Sequence, residues 1–478
     1  MAHTPHLDGI INFVKGINFD SLPDEVVDRA GTILLDTVGC ALGGSMTSLG
    51  ASHAKTLITV AGSGKATAIG VRSGIDPVTA AFLNSTLSDA LDYEDTLIAH
   101  PSAVVIPAAL ALGETVGATR RELVEAIVAG YEVSIRVARA IMPSVERQRE
   151  VAVGYAWGAF GAVTAAAHLL HLSANEMRHA FGYAGAASPL PIWISKWARP
   201  LQWLKNNFGE QTRAGVLGAL MARAGFRGPE RIFDSQYGFW RMVGSDRFDA
   251  GQLSKGLGRD YEILQTEFKP YPACRFLHTT IEVIQDLVRD HQVEPEAVKK
   301  VTVRSFRGMT EFFGDPRPDT LVDAQFSLPY SVAVALMGIP VGADWYHPRT
   351  LKNPALLAIA DRVCIETTSD EDFGFAQGVY PTEVHLLTKD GNAFIGARDI
   401  PLGGRMRPMS RDSHRSKFMT LAAPVLGEAS ALEAWTHGQQ VEPFDLQTWM
   451  KGLIPSRTSL QCLEFHQPID SELSEQSQ

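Results

Sequence analysis

Residues 1–266 read almost wholly as helix, and this constrains the fold more than any other feature of the 478-residue chain. In SLPDEVVDRAGTILLDTVGCALGG the positions Val26, Ala30, Ile33, Leu34, Val38 and Ala41 recur every three or four residues, which places them on one helical face. Ser21, Pro23 and Asp24 mark the start of that helix, and Gly43–Gly44 its stop. DPVTAAFLNSTLSDALD opens with Asp76 as N-cap and Pro77 in the first turn, and Thr119–Glu122 and Ser173–Glu176 are capping boxes. Alanine and glycine are dense in WGAFGAVTAAAHLL and RAGVLGALMARAG, as expected where helices approach closely.

The pattern changes near residue 267. VKKVTVRS (298–305) alternates like a half-buried strand, and DRVCIETT (361–368) is rich in β-branched residues. TEVHLLTKDGNAFIGARDI is two strand-like runs joined by Asp390–Gly391, a strong hairpin signal. HTTIEVIQDLVRDHQ and QFSLPYSVAVALMG read as helices between them. The chain exceeds the length at which one core stops growing. The expected fold is therefore mainly α: an all-helical domain (1–266), a smaller α+β domain (267–400), and a polar, Arg- and Met-rich segment (401–478) packing back on the first helices.

Net charge is −10 with no basic block, which argues against a nucleic-acid surface or a polybasic membrane patch. Cys40, Cys274, Cys364 and Cys462 lie far apart, with no CxxC pair, so neither a zinc site nor a disulfide framework is expected. The most apolar run, AVVIPAALALGETVGA, is broken by Pro107 and Glu114 and is too short to span a bilayer. With no secretory signal recognisable, a soluble cytoplasmic protein is expected, with no membrane or nucleic-acid partner. Dinucleotide, P-loop, nucleophile-elbow and HExxH motifs do not occur.

Three clusters carry candidate chemistry. LDYEDTLIAHPSA (91–103) crowds Asp92, Tyr93, Glu94, Asp95, Thr96 and His100 between two helices. A carboxylate that fixes a histidine tautomer is a general-base arrangement. On composition alone, an acidic helix-to-helix loop capped by Asp95 or Thr96 is the competing reading. EFKPYPACRFLHTT (267–280) sets Lys269, Cys274, Arg275 and His278 on a proline-stiffened segment at the domain boundary, suited to a carboxylate ligand or to a rigid linker. SKWARPLQWLKNNFGEQTRAG (195–215) brings Lys196, Arg199, Lys205 and Arg213 around two tryptophans. A basic helix face is its simpler explanation.

These stretches, with GAFGAVTAAAHLLHL (158–172) and AQFSLPYSVAVAL (324–336), resemble the MmgE/PrpD family in content and in order from about residue 8 to 400. The resemblance implies an all-helical domain completed by the C-terminal segment, an α+β lid, an active site in the cleft between them, and a homodimer. It implies action on small polycarboxylates without metal or organic cofactor, with 2-methylcitrate dehydratase, cis-aconitate decarboxylase and iminodisuccinate epimerase among known activities. Matched by motif, Asp92, Thr96 and His100 are site residues of the first loop, Lys269 the cleft lysine and Tyr330 the lid tyrosine.

The chain departs from the pattern in three places. Ala152 and Val153 stand where many members have a histidine–proline pair, Lys205 is shifted and Asn207 replaces a histidine, and Cys274 stands where the decarboxylases favour a histidine. Dehydration needs one base and one acid. The expected scheme has His100, oriented by Asp92, transferring the proton, with Tyr330 as acid and Lys269 and Arg275 holding substrate carboxylates. Lys205, His278 and Cys274 complete the expected substrate-binding set with Thr96, while Glu94 and Asp95 are expected to be solvated neighbours. A hydro-lyase on a citrate-like or alkylcitrate-like acid is the first reading. An isomerase, a decarboxylase and a non-catalytic polycarboxylate-binding homologue are the alternatives.

Overall fold

A computed structural model describes residues 5–455 except 99, 149, 151–156, 189–205, 235 and 370–377. The first 223 residues supply α1 (Pro5–Gly16), α2 (Asp24–Ser45), α3 (Ser48–Ile58), α4 (Pro77–Asp89), α5 (Ser102–Val116), α6 (Arg120–Ala140), α7 (Gly158–Leu169), α8 (Ala174–Ala187) and α9 (Phe208–Arg223), with shorter turns between. The expected caps form. The Asp76 carboxylate accepts from Thr79 N at 2.9 Å, and both capping boxes close. Small residues set the spacing, as expected: a Cβ on Gly44 would collide with the Leu87 carbonyl of α4, so α2 and α4 cross in close backbone contact.

Two stretches depart from the helical reading. Ser63–Ala68 (β1) and Arg72–Ile75 (β2) form an antiparallel hairpin. Its sequence has little β propensity, and side chains from the helices hold it instead. Thr67 donates N–H and hydroxyl to Glu114 at 2.7 and 2.7 Å, while Asn84 bonds Ile69 N and Thr67 O at 2.8 and 2.8 Å. Residues 224–266 are mostly turns and short 3-10 segments rather than helix.

The smaller unit has a four-stranded sheet ordered β4-β3-β5-β6, from Val298–Phe306 (β3), Val363–Ser369 (β4), Thr382–Thr388 (β5) and Ala393–Arg398 (β6). β3 runs parallel to β4 and antiparallel to β5, and β5–β6 is the hairpin expected at Asp390–Gly391. Helices α10 (His278–His291) and α11 (Leu328–Leu336) cover one face. The fold is therefore mainly α, with a helical domain and a smaller α+β domain, each around its own core. The chain then returns through α12 (Arg411–Leu426), α13 (Glu428–Gly438) and α14 (Leu446–Lys451). α12 lies along α2, with Phe418 against Gly39 and Leu421 against Gly43. Among the described residues no single helix is long and apolar enough to cross a membrane.

Candidate active site

The connection between α4 and α5 lies under the smaller domain, out of solvent. Asp92, Glu94 and Asp95 are 1%, 0% and 1% exposed. Asp92 sits at φ 50°, a left-handed conformation that aspartate tolerates. Its Oδ1 is 2.5 Å from Lys269 Nζ, and Lys269 also donates to the Asp92 carbonyl at 2.9 Å. Thr96 joins the same two segments through its backbone, exchanging hydrogen bonds with Glu267 at 2.8 and 3.0 Å. The two motifs noted in sequence are thus brought into one buried cluster, with Gln325 donating to the Ala90 carbonyl at 2.8 Å from the other domain.

His100 is oriented differently from expectation. Its Nδ1 lies 2.8 Å from the Asp95 carbonyl and 3.1 Å from Glu94 Oε1, whereas Nε2 is 3.6 Å from Asp92 Oδ1, beyond hydrogen-bond distance. The acceptors around Nδ1 assign its proton there and make Nε2 the basic nitrogen. Asp95 is equally fixed, accepting from Ser102 N at 3.1 Å and Tyr131 OH at 2.6 Å. Burial pushes its carboxyl up to about 7, against the pull of the Ser102 and Tyr131 hydrogen bonds. Glu94 and Asp95 are therefore part of the buried frame that sets the histidine ring, not solvated neighbours.

Other expected residues are more committed than the sequence suggested. Arg275 gives Nε to Glu267 at 3.0 Å and Nη1 to the Leu402 carbonyl at 2.6 Å. His278 is fully buried, accepts from Arg275 at Nδ1 (3.2 Å) and donates from Nε2 to the Ala273 carbonyl (3.0 Å). Desolvation first, then the Arg275 charge, hold it well below its ordinary pKa, so it is neutral. Tyr330 lies in the core of the smaller domain with its hydroxyl donated to the Trp345 carbonyl, so that hydroxyl is already committed. Cys274 is half-buried, its backbone N–H on the Gln325 carbonyl at 3.0 Å. Lys205, with Lys196, Arg199, Ala152 and Val153, lies outside the described residues.

Lys417 of α12 was missed. It is 6% exposed, pairs with Asp36 at 2.7 Å, donates to the Tyr93 carbonyl at 2.6 Å and sits 4.2 Å from the Tyr93 ring centroid. The C-terminal segment thus clamps the 91–100 loop from behind. Its signal in sequence is register: Lys417 lies four residues before Leu421 and eight before Val425, in phase with the apolar stripe of α12. Tyr346, also missed, stacks on Tyr330 and donates to the Pro272 carbonyl of the Lys269 segment.

Asp92, Glu94 and His100 each offer a ligand atom within 4.8 Å of the others, so these three are where a cation would be held. The Lys269 ammonium already neutralises Asp92 on that side, and a divalent ion there would meet its repulsion.

A helical bundle under an α+β domain, with a buried histidine–carboxylate–lysine cluster at the seam, defines a two-domain protein equipped for proton transfer. Residues 8–250 match the MmgE/PrpD N-terminal domain and residues 271–439 the MmgE/PrpD C-terminal domain; the chain belongs to the MmgE/PrpD family. The cis-aconitate decarboxylase-like protein oryM of Aspergillus oryzae is 25% identical over 445 residues, 87% of this chain and 90% of that protein. Cis-aconitate decarboxylase of Aspergillus terreus is 23% identical over 454 residues (89% and 90%), and that of Homo sapiens 22% over 431 (86% and 87%). These relatives are enzymes by name, and their likeness is to lyase-type, polycarboxylate-related chemistry.

Proposed function

We propose that the protein is a cofactor-independent hydro-lyase acting on a citrate-like or alkylcitrate-like polycarboxylate. The observation that carries the reading is His100, its Nδ1 on the Asp95 carbonyl with Glu94 Oε1 3.1 Å away, beside the Lys269–Asp92 pair. Nε2 of His100 takes the proton from the carbon next to a substrate carboxylate. The pair of electrons released becomes the new double bond as the hydroxyl on the neighbouring carbon leaves. The Lys269 ammonium stabilises the enediolate-like charge and protonates the departing hydroxide to water, a role the sequence had assigned to Tyr330, whose hydroxyl is bound to Trp345. Preorganised donors of this kind in a water-excluded site account for much of catalysis.

A second reading, decarboxylation of a cis-aconitate-like acid, is favoured by the names of the relatives. Cys274, standing where the family's decarboxylases favour a histidine, weighs against it. The test is incubation with citrate, 2-methylcitrate, longer alkylcitrates and cis-aconitate, followed by mass spectrometry. Loss of water supports the first reading and loss of carbon dioxide the second. α-Proton exchange in deuterated water without elimination indicates an isomerase, and His100→Ala with unchanged turnover overturns the assignment of the base.

A further inference from the structure

The segment 266–269 has two faces. Glu267 and Lys269 point to Arg275 and Asp92; Thr266 and Phe268 line a separate cavity of about 590 Å³, enclosed by α2, α6, the 403–411 turn and α13. This alternation is that of an extended chain. None of His100, Asp92 and Lys269 lines the cavity.

Its charge is lopsided. Arg29, Arg120, Arg405 and Arg411 line it, against the single carboxylate of Asp28. Arg120 is the telling member. It is 4% exposed, donates Nη2 to the Gly438 carbonyl at 3.0 Å and stacks 5.2 Å over the Phe444 ring. Its Nε and Nη1 are buried with no hydrogen-bond partner among the described residues. Desolvation lowers its pKa to about 10, and no acidic neighbour offsets that. A buried guanidinium with two idle donors is costly unless something pairs with it. Apolar side chains, Leu35, Val124 and Trp435 among them, supply the rest of the wall, and the volume falls in the range of small-molecule sites.

We propose that this cavity is a second binding site, separate from the catalytic cluster, for a small organic anion whose carboxylate or phosphate pairs with Arg120 while its apolar body lies against Trp435. Arg29, which donates to the Thr266 carbonyl at 2.7 Å, links the cavity to the segment that carries Lys269.

The test is calorimetric titration of the full chain with phenyl phosphate, phenylacetate and inorganic phosphate. Comparison of the two aromatic anions tells a phosphate head from a carboxylate head, and inorganic phosphate reports the head group without a body. The expected result is saturable, sub-millimolar binding of at least one aromatic anion, tighter than inorganic phosphate. Arg120→Met weakens it at least tenfold with the fold intact by circular dichroism. Loss of the hydrogen bond to the Gly438 carbonyl lowers the melting temperature of the unliganded protein but does not by itself weaken binding, so a merely structural Arg120 would leave the affinity unchanged. The exposed rim carries an independent arm: Arg405→Ala/Arg411→Ala weakens binding about fivefold, and Lys269→Ala binds like the parent protein. Failure of both aromatic anions to bind at millimolar concentration overturns the proposal, as does equal binding by the Arg120→Met or the rim variant. Binding lost in Lys269→Ala but kept in Arg120→Met also overturns it, placing the anion in the catalytic cleft. None of these outcomes depends on the substrate of the proposed reaction.

Discussion

Replacing Lys417 by methionine tests how the loop that carries His100 is held. Both side chains of the Lys417–Asp36 pair are 3% exposed, so the substitution strands a carboxylate in the core. Asp36 Oδ2 already has no hydrogen-bond partner among the described residues. Breaking a buried pair from one side costs about 3–5 kcal/mol, and loss of the hydrogen bond to the Tyr93 carbonyl adds about 1 kcal/mol. With a urea slope of about 3 kcal/mol/M, the midpoint of the helical domain falls by about 1–2 M. Two further results follow from the same geometry. Asp36→Leu/Lys417→Met recovers most of the loss, because an apolar pair of similar volume leaves no charge behind. The loss is also smaller at pH 5.5 than at pH 7.5. His414 lies 4.0 Å from Asp36 and is held down to about 4 by desolvation, with Lys417 adding to the depression and Asp36 opposing it. Without Lys417 the imidazole is free to protonate and take its place. Urea unfolding followed by tryptophan fluorescence at both pH values decides the matter. A single variant within 1 kcal/mol of the parent, or a double variant no better than the single, refutes the reasoning.

Asp95→Asn reports the buried carboxyl. Because the folded pKa is raised from 3.8 to about 7, the contribution to stability is full below pH 3.8 and is lost as pH rises towards 7. The parent should therefore lose up to about 4 kcal/mol relative to the variant across that window, read by denaturation at pH 4.5, 5.5 and 7, and parallel curves would count against it. Asp92→Asn, which removes the counter-charge of buried Lys269, should lower kcat at least a hundredfold with the fold intact by circular dichroism; full turnover would dissociate the pair from the chemistry. Gly44→Ala, whose Cβ meets the Leu87 carbonyl, should cost about 1–3 kcal/mol of stability through overpacking, and an unchanged midpoint would show that α2 and α4 can move apart. Light scattering in solution should give twice the mass of 51.9 kDa if the homodimer implied by the family forms, and the monomer mass would exclude it.

The helices were legible because their signals are local: Asp76 capping Thr79, and Thr119 and Ser173 with a glutamate three residues on. The β1–β2 hairpin was not, because what stabilises it is Glu114, 47 residues from Thr67, and no neighbouring residue announces it. At the site, Asp92 and Lys269 could be placed together only through the family motifs, since 177 residues separate them. Three acids in a loop read as solvated on composition, and their burial comes from α12 and the smaller domain arriving from far along the chain. Arg275 looked available because its partners, Glu267 and the Leu402 carbonyl, declare themselves only in three dimensions.

The clamp by Lys417 also imposes an order on manufacture. The carbonyl it holds belongs to Tyr93, made 324 residues earlier, and synthesis at about 5–20 residues per second puts roughly 15–65 s between the two. Throughout that interval a nascent chain carries Asp36 without its lysine and the His100 loop without its brace, even when both domains have emerged. The frame of the His100 loop is thus completed only once α12 has been made. A product that stops short of α12 also lacks Phe418 and Leu421, which pack on Gly39 and Gly43 of α2, so the helical core is itself unfinished.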